Sequence, residues 1–295
     1  MNPQRGFTLI EMAIVLVIMT ILIGGLAVPL SAQIQARRVA ETNKTLEEAR
    51  EAIIGYAMSH TVSSSCTCQY KVDTSLDPGA ANCPGSLCPA TGTASSTLTL
   101  TITRHYLPCP DLNGTDPEPG LDNDGVDSLR DINNGVEDRQ PGSSGSPYVA
   151  GSSCAAPSGN LPWVTLGTAA QDAWGNRLQY AVTDTFTNST TGFSSTTTGN
   201  LQVCSASGCA TVDVAKDVPV VLLSYGPNGW GARNINGTTL RLPTSDDEKE
   251  NTNGDDKFVS HSPIKPDATN KEFDDLVVWI SDGLLKSRVC QNGCP

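Results

Sequence analysis

The hydrophobic pattern begins with an apolar run that contains a single charge. Residues 7–30 are almost entirely apolar or small, and Glu11 is the only ionisable side chain among them. About 20 apolar residues cross the hydrocarbon core of a bilayer as a helix, so residues 7–30 predict a transmembrane helix. An ionised side chain in that setting costs roughly 2.5–3.5 kcal/mol. Glu11 is therefore a candidate functional residue, although a carboxylate near a helix end can also snorkel towards water.

The pattern after residue 30 is that of an amphipathic helix. Apolar residues recur mostly at three-, four- and seven-residue steps, and charged side chains fill the opposite face. No proline interrupts residues 31–60, so the helix is predicted to continue to about residue 60. Gly24, Gly25 and Pro29 predict a kink or local melting between the two halves. The apolar stripe consists of Ile34, Val39, Leu46, Ala49, Ile53 and Ala57.

Beyond residue 60 the pattern changes to short strands and turns. Alternating Thr with Leu and Ile predicts a strand or hairpin arm, and short apolar runs that end in Gly, Pro or Asn predict buried strands. The predicted strands lie in 96–106, at the end of 161–182, in 218–223 and in 273–280, where a helix is the alternative; Trp163, Trp174 and Trp279 are predicted core residues.

The excess negative charge lies beyond the helical part of the chain. The 295 residues have a formal net charge of −12, whereas residues 1–60 contain five basic and five acidic side chains. A surface that binds nucleic acid needs clustered Lys and Arg, so no nucleic-acid partner is expected. Residues 61–295 are long enough to bury a core and have the composition of an exported head.

The ten cysteines all follow the apolar run, and their number is even. In an exported head this predicts disulfides in an oxidising compartment. The alternative is a zinc site formed by Cys66, Cys68, Cys83 and Cys88, but the spacing is not that of common zinc knuckles. The expected pairs are Cys66 and Cys68 with Cys83 and Cys88 in either order, then Cys109–Cys154, Cys204–Cys209 and Cys290–Cys294.

Residues 106–138 form an acidic, glycine-containing stretch that predicts a cation site. Asp122, Asp124 and Asp127 lie close together around a glycine turn, and clustered oxygen ligands are what Ca²⁺ requires. The stretch resembles one partial copy of the calcium loops of thrombospondin type 3 repeats. A solvated acidic loop is the alternative.

An ordinary secretory signal peptide is the alternative interpretation of the amino terminus. Arg5 would be its charged region, and Pro-Leu-Ser-Ala before Gln33 is weakly similar to a peptidase site. The apolar run is too long for this class of segment, it contains Glu11, and it continues into the amphipathic pattern without a break.

Residues 5–30 resemble the class III leader and first helix of type IV pilins and type II secretion pseudopilins. The motif Gly-Phe-Thr-Leu-Ile-Glu at residues 6–11 carries the resemblance. It implies cleavage between Gly6 and Phe7 by a prepilin peptidase and methylation of the new amine on Phe7. It also implies assembly with other pilin or pseudopilin subunits at an inner-membrane platform. Glu11 would pair with the Phe7 amine of a neighbouring subunit, and this pairing would set the stagger of the helices because an unpaired buried charge is costly.

Two segments of the head carry a second resemblance, to major pseudopilins. Asp-Ala-Trp-Gly-Asn at 172–176, followed by Tyr180, resembles their "DPWGNP…Y" segment, and residues 223–229 resemble their "LSxGxDG" strand and turn. In that family an acidic loop that binds calcium follows the turn. The corresponding loop here is 245–260, and its candidate Ca²⁺ ligands are Asp255, Asp256 and Ser260.

The resemblance implies an α+β, pilin-like fold, in which a long amino-terminal helix packs on an antiparallel β-sheet head with disulfide-pinned loops. The expected segments are a leader at 1–6, a helix at 7–60 and the globular head at 61–295. The helix would form the filament core over 7–30 and be amphipathic over 31–60. The expected location is the inner membrane, with one span and a periplasmic head, and then a periplasmic or extracellular filament.

The expected function is structural, as a minor or specialised subunit of a type IV pilus or type II secretion pseudopilus. The alternative is an adhesin-like tip pilin whose head binds a surface or ligand. The three histidines have no spacing typical of a metal site or triad, and no nucleophile elbow or phosphate-binding loop occurs. The chain is therefore not expected to be an enzyme.

Overall fold

A computed structural model describes residues 8–71, 73, 75–77, 83, 88–89, 97–112, 134–141, 150–265, 272–291 and 293–295, with side-chain environments for these residues except 22–30, 140–141 and 150–152. The helices are α1 (Leu9–Ser59), α2 (Trp163–Leu166), α3 (Asp246–Thr252) and α4 (Asp282–Val289), with a 3₁₀ turn at Asp184–Phe186. The strands are β1 (Thr61–Gln69), β2 (Thr97–His105), β3 (Arg139–Pro141), β4 (Ala150–Cys154), β5 (Ser158–Asn160), β6 (Gln179–Val182), β7 (Leu201–Cys204), β8 (Ala215–Val218), β9 (Val220–Ser224), β10 (Lys257–Val259) and β11 (Leu276–Ile280).

The predicted long helix is present and continuous. Thr8 caps its first turn, and the backbone N–H of His60 closes its last turn on the carbonyl of Tyr56 at 2.9 Å. The predicted melting around Pro29 is wrong, because the helical backbone runs through residues 24–29 without interruption. Proline removes one backbone donor, and the helix formers on both sides maintain the helix across it. Within the described part of the chain, no helix has a stretch that is both long and apolar enough to span a membrane.

Only the second half of α1 packs against the head. Leu46, Ala49, Ile53 and Ala57, all members of the predicted apolar stripe, are fully buried, whereas Ile34 is 44% exposed. The helix packs on β9, β11 and α4, in a core that also contains Phe186 and Tyr180. Burial of α1 against the head therefore begins near Thr42, which is also buried.

The main sheet has the strand order β11-β9-β6-β5, and every pair in it is antiparallel. The register places Gln179 beside Leu223, and Ser224 beside Leu276. A smaller sheet, β10-β7-β8, has β10 parallel to β7 and packs a second apolar cluster around Val203 and Phe258. The architecture is α+β, with antiparallel sheets behind an amino-terminal helix, and is consistent with a pilin-like fold.

The strands β1 and β2 form a separate antiparallel ribbon directly after α1. Their nine-residue register pairs Ser63 with Thr103, Ser65 with Thr101 and Thr67 with Thr99. Alternate residues of a strand share a face, so these hydroxyls lie on one face, while Cys66 and Cys68 lie on the other. The hydroxyl face is largely exposed and uncharged, and the opposite face is covered by a small cluster with Tyr70 and Ile102.

Five disulfides join all ten cysteines, and none is free. The two orders left open at the ribbon are resolved as Cys66–Cys83 and Cys68–Cys88, and the other three pairs are those expected from the sequence: Cys109–Cys154, Cys204–Cys209 and Cys290–Cys294. The alternative zinc site is wrong, because disulfide sulfurs are not the thiolates that bind zinc.

A polar contact joins the end of α1 to the segment enclosed by Cys109 and Cys154. The Tyr56 hydroxyl donates to Glu137 Oε1 at 2.8 Å, and Arg139 Nη2 donates to Glu137 Oε2 at 3.0 Å. The backbone N–H of Cys109 donates to the same Oε2 at 2.8 Å. Burial of the phenol, with the Glu137 charge beside it, raises the pKa of Tyr56 far above its ordinary value, so Tyr56 is a permanent donor to this carboxylate.

The tryptophans differ from the sequence prediction. Trp163, Trp174 and Trp279 are half-buried rather than core residues. The Arg177 guanidinium stacks on Trp163, with its central carbon 3.8 Å from the ring centroid, and the Trp174 indole N–H donates to Gln35 Oε1 at 3.4 Å. A large ring with a polar edge commonly lies at such a boundary, and hydrophobicity alone does not distinguish that position from the core.

The buried half of α1 predicts where the fold is sensitive to truncation. We expect Ile53→Ala to lower the free energy of unfolding by about 2–5 kcal/mol, because it removes fully buried atoms and leaves a cavity. Ile34→Ala on the exposed part of the same helix should change it by less than about 1 kcal/mol. Chemical denaturation of the detergent-solubilised chain measures both values, and equal losses would contradict the packing described.

Candidate functional site

The first candidate site is the amino-terminal turn of α1. The Glu11 carboxylate accepts hydrogen bonds from the backbone N–H and the hydroxyl of Thr8, both at 2.8 Å from Oε2. The backbone N–H of Glu11 in turn donates to the Thr8 hydroxyl at 3.4 Å. This is a capping box, so Glu11 begins the helix in addition to any role between subunits. The Thr-x-x-Glu spacing in the sequence could have revealed it.

The part of α1 that follows is apolar and uncovered. Its exposed side chains include Leu9 at 89% and Ile21 at 68% exposure. An exposed apolar surface of this length marks a contact with another protein or with lipid. The predicted processing residues Gly6 and Phe7 lie outside the described residues, as do the predicted calcium ligands Asp122, Asp124 and Asp127.

The second candidate site is a cluster of three carboxylates in the head. Glu248, Asp274 and Asp275 each present a carboxylate oxygen within 4.8 Å of the others. Glu248 comes from α3, while Asp274 and Asp275 lie immediately before β11. Glu248 is 1% exposed and Asp275 is 4% exposed, so the cluster is largely removed from water.

Each of these carboxylates has one buried oxygen without a hydrogen-bond partner. The atoms are Glu248 Oε2, Asp274 Oδ1 and Asp275 Oδ1. A buried acceptor that is left unsatisfied costs about 1–3 kcal/mol, and more when it is charged. A positive charge or protons on these three carboxylates would remove that cost.

The remaining oxygens are held by amide and backbone donors. Asn228 Nδ2 and the backbone N–H of Asp274 donate to Glu248 Oε1 at 3.1 and 3.2 Å. The backbone N–H of Asn228 donates to Asp274 Oδ2 at 3.2 Å, and Asn251 Nδ2 donates to Asp275 Oδ2 at 2.8 Å. These bonds fix one side of each carboxylate and leave the other side for a ligand.

The turn after β9 approaches the cluster too closely for a side chain. Gly226 has a φ of +60°, and a Cβ on it would lie 2.2 Å from the backbone oxygen of Asp274. Only glycine accepts both the left-handed conformation and the close approach. The turn that sequence reasoning identified at 223–229 thus positions the cluster.

Burial is the main cause of perturbed ionisation in the cluster. Desolvation, followed by repulsion from Glu248, raises the pKa of Asp274 to about 7. Desolvation also raises the pKa of Glu248, and that of Asp275 to well above its ordinary range. Three clustered acids that resist ionisation together, each with an oxygen lacking a hydrogen-bond partner, fit a hard divalent cation, which binds through carboxylate oxygens.

The predicted ligands of the later acidic loop lie elsewhere. Asp255 Oδ1 accepts from the backbone N–H of Lys257 at 2.8 Å, and Asp255 Oδ2 accepts from Asn253. Asp256 and Ser260 make backbone bonds to β7, and within the described ranges Asp255 and Asp256 join no cluster of three acids. The loop does contribute Glu248. Sequence reasoning missed Asp274 and Asp275, whose signal was an acidic pair directly before an apolar strand.

Comparison with known proteins identifies the motif at the amino terminus. Residues 1–27 match the family model described as the prokaryotic N-terminal methylation motif. The chain thus carries the prepilin-type motif of type IV pilins and pseudopilins. Comparisons with curated proteins and with solved structures give no match. The match ends within α1 and does not reach the head.

The raised pKa values predict a pH dependence in the absence of metal. Since Asp274 has a folded pKa of about 7 and an unfolded value near 3.9, the folded state binds more protons between these limits. Stability then falls as the pH rises through this window. In chelator, we expect a higher melting temperature at pH 5 than at pH 8, measured by calorimetry. Asp274→Asn should flatten the difference, and an unchanged slope in that variant would contradict the raised pKa.

Proposed function

We propose that the chain is a structural subunit of a type IV pilus or type II secretion pseudopilus, and not an enzyme. The observation that carries the proposal is the methylation motif at residues 1–27 on a long helix whose first part is apolar and uncovered by the head. Such a surface needs other subunits or lipid to cover it. A minor or specialised role suits a head of this size and disulfide content.

In this proposal the chain is first an inner-membrane protein with a periplasmic head. A prepilin peptidase cleaves between Gly6 and Phe7 and methylates Phe7, and an assembly platform then transfers the subunit into a filament. In the isolated subunit, the Glu11 carboxylate is hydrogen-bonded within the capping box. In the filament its carboxylate neutralises the Phe7 amine of a neighbour, so that one helix stagger is favoured over others.

Substitution of Glu11 tests the assembly role. We expect Glu11→Val to remain processed and membrane-bound while its amount in sheared filaments falls at least about tenfold, since each 1.4 kcal/mol lost is a factor of ten. Thr8→Val separates the two functions of the carboxylate, because it removes the cap hydroxyl and keeps the charge. Intact mass confirms a chain that starts at methylated Phe7. Wild-type incorporation of Glu11→Val would refute the stagger argument, and a chain that starts near Gln33 would restore the ordinary signal peptide.

A tip adhesin is the second candidate function, and the β1–β2 ribbon favours it. Its exposed hydroxyl face lies immediately beyond the end of α1 and is held by two disulfides. An uncharged surface of hydroxyls suits hydrogen bonding to a neutral ligand. Immunolabelling separates the two roles, because an adhesin is restricted to filament tips and a structural subunit is distributed along the filament.

We also propose that the carboxylate cluster of Glu248, Asp274 and Asp275 binds calcium. The bound ion would supply the positive charge that the three unpartnered oxygens require, and it would hold α3 against the turn before β11. The flexible coordination of Ca²⁺ suits ligands from separate loops better than the strict octahedron of Mg²⁺ does.

Thermal denaturation tests the calcium proposal. In Ca²⁺ at a hundredfold excess over the dissociation constant, the folded state should gain about 2.7 kcal/mol relative to chelator, with a smaller gain in Mg²⁺. Asp275→Asn and Glu248→Gln should abolish the gain, whereas the control Asp255→Asn should retain it. If only Asp255→Asn loses the gain, the calcium site is in the loop 245–260 that was first predicted. Identical melting temperatures in Ca²⁺ and in chelator would exclude both the loop and the cluster as calcium sites.

A further inference from the structure

Two neighbouring arginines on α1 have no partner in the described part of the molecule. Arg37 and Arg38 are exposed, and among the described residues neither makes an ion pair or a side-chain hydrogen bond. The other basic side chains of this helix are paired: Lys44 with Glu48 at 3.4 Å and Arg50 with Glu47 at 2.6 Å. The unpaired arginines thus form a small basic patch, Arg37–Arg38, on a helix whose other charged side chains are two basic and five acidic.

The Arg37–Arg38 patch lies where α1 leaves the head. The contacts on either side of it along the helix are Gln35 with the Trp174 indole, and Thr42 with the backbone N–H of Ala173 at 3.2 Å. The turn at 172–176 therefore marks one end of the head. The patch lies at this end, between the uncovered apolar part of α1 and the packed part.

The acidic helix α3 lies at the same end of the head. β6 begins at Gln179, directly after that turn, and Gln179 pairs with Leu223 near the end of β9. The last residue of β9, Ser224, pairs with the first residue of β11. The end of β9 and the start of β11 therefore lie at the same end of the head as the turn. The turn after β9 holds Glu248 of α3 through Asn228 at 3.1 Å. The sequence of α3, Asp-Asp-Glu-Lys-Glu-Asn-Thr, has four acids and one base.

Three carboxylates of α3 lie outside the cluster of Glu248, Asp274 and Asp275. Asp247 lies 3.2 Å from His261 Nε2 and accepts from the backbone N–H of Ser207 at 2.8 Å, which leaves Asp246 and Glu250 for an outside partner. The side chain of Asp246 is 82% exposed, and its one ion-pair partner among the described residues is Lys249, at 2.8 Å, while Glu250 is half-buried. An exposed ion pair of this kind is worth about 0–1 kcal/mol, so Asp246 can leave Lys249 for another cation at little cost in free energy. The head as a whole carries the net charge of −12, because residues 1–60 are balanced.

We infer that the Arg37–Arg38 patch binds the acidic face of α3, Asp246 and Glu250, on a second copy of this chain. Both surfaces lie at the end of the head from which α1 emerges, so two parallel subunits displaced by a small stagger bring one beside the other. Complementary charges of this kind fix register and select the partner. The inference rests on the proposed role as a filament subunit and adds a second contact, about 40 Å from Glu11 at 1.5 Å per residue.

Charge reversal tests the inference in cells in which the variant replaces the wild-type chain. Arg37→Glu with Arg38→Glu should reduce the amount in sheared filaments at least about tenfold, with normal processing and membrane content. Arg37→Gln with Arg38→Gln should give a smaller loss. Lys44→Glu is the matched control, since its side chain is already paired within the helix, and it should assemble nearly as the wild type does.

Restoration by the opposite reversal identifies the partner surface. Adding Asp246→Lys and Glu250→Lys to the double arginine variant should recover at least half of the wild-type amount in filaments, and melting curves confirm that each head is folded. Wild-type incorporation of either arginine variant overturns the inference. A folded fourfold variant that stays excluded also overturns it, because α3 is then not the partner. If the wild-type chain itself is absent from filaments, the proposed function fails first.

Discussion

The packing of the second half of α1 against the main sheet is the contact on which the rest of the structure depends. Leu46, Ala49, Ile53 and Ala57 are fully buried, and each of them would be exposed on an isolated helix. The sheet in turn has no other long helix to cover this face among the described residues. Helix and head therefore stabilise each other through this contact.

The carboxylate cluster lies beside the strands on which α1 packs. Helix α1 packs on β9 and β11. The end of β9 lies beside the start of β11, and the Gly226 turn that follows β9 contacts Asp274, whose backbone N–H donates to Glu248. The site thus combines residues from a helix, a turn and the start of a strand. Without a cation the clustered carboxylates destabilise this edge of the head. In the proposed assembly it is the edge closest to the membrane or the filament core.

Sequence reasoning was most successful where the physical signal was local or periodic. The 3.6-residue pattern identified the buried face of α1, the alternation of Thr with Leu and Ile identified β2, and close cysteine spacing identified Cys204–Cys209 and Cys290–Cys294. It failed where tertiary structure decides. Trp163 lies at a boundary because Arg177 stacks on it, and no local pattern carries that information. The carboxylate cluster was missed because Glu248 and Asp274 are 26 residues apart and meet only through strand order.

The placement of the disulfides also has a mechanical consequence. In the proposed filament, tension would load the chain of each subunit, and each disulfide would exclude the residues that it encloses from the length that can be pulled out. Cys109–Cys154 closes 45 residues, which at about 3.4 Å per residue removes roughly 150 Å of contour length. The overlapping pairs Cys66–Cys83 and Cys68–Cys88 do the same for the ribbon next to α1. The covalent loops thus shorten the extensible chain mainly in the amino-terminal part of the head, because residues 210–289 lie between Cys204–Cys209 and Cys290–Cys294 and inside neither loop.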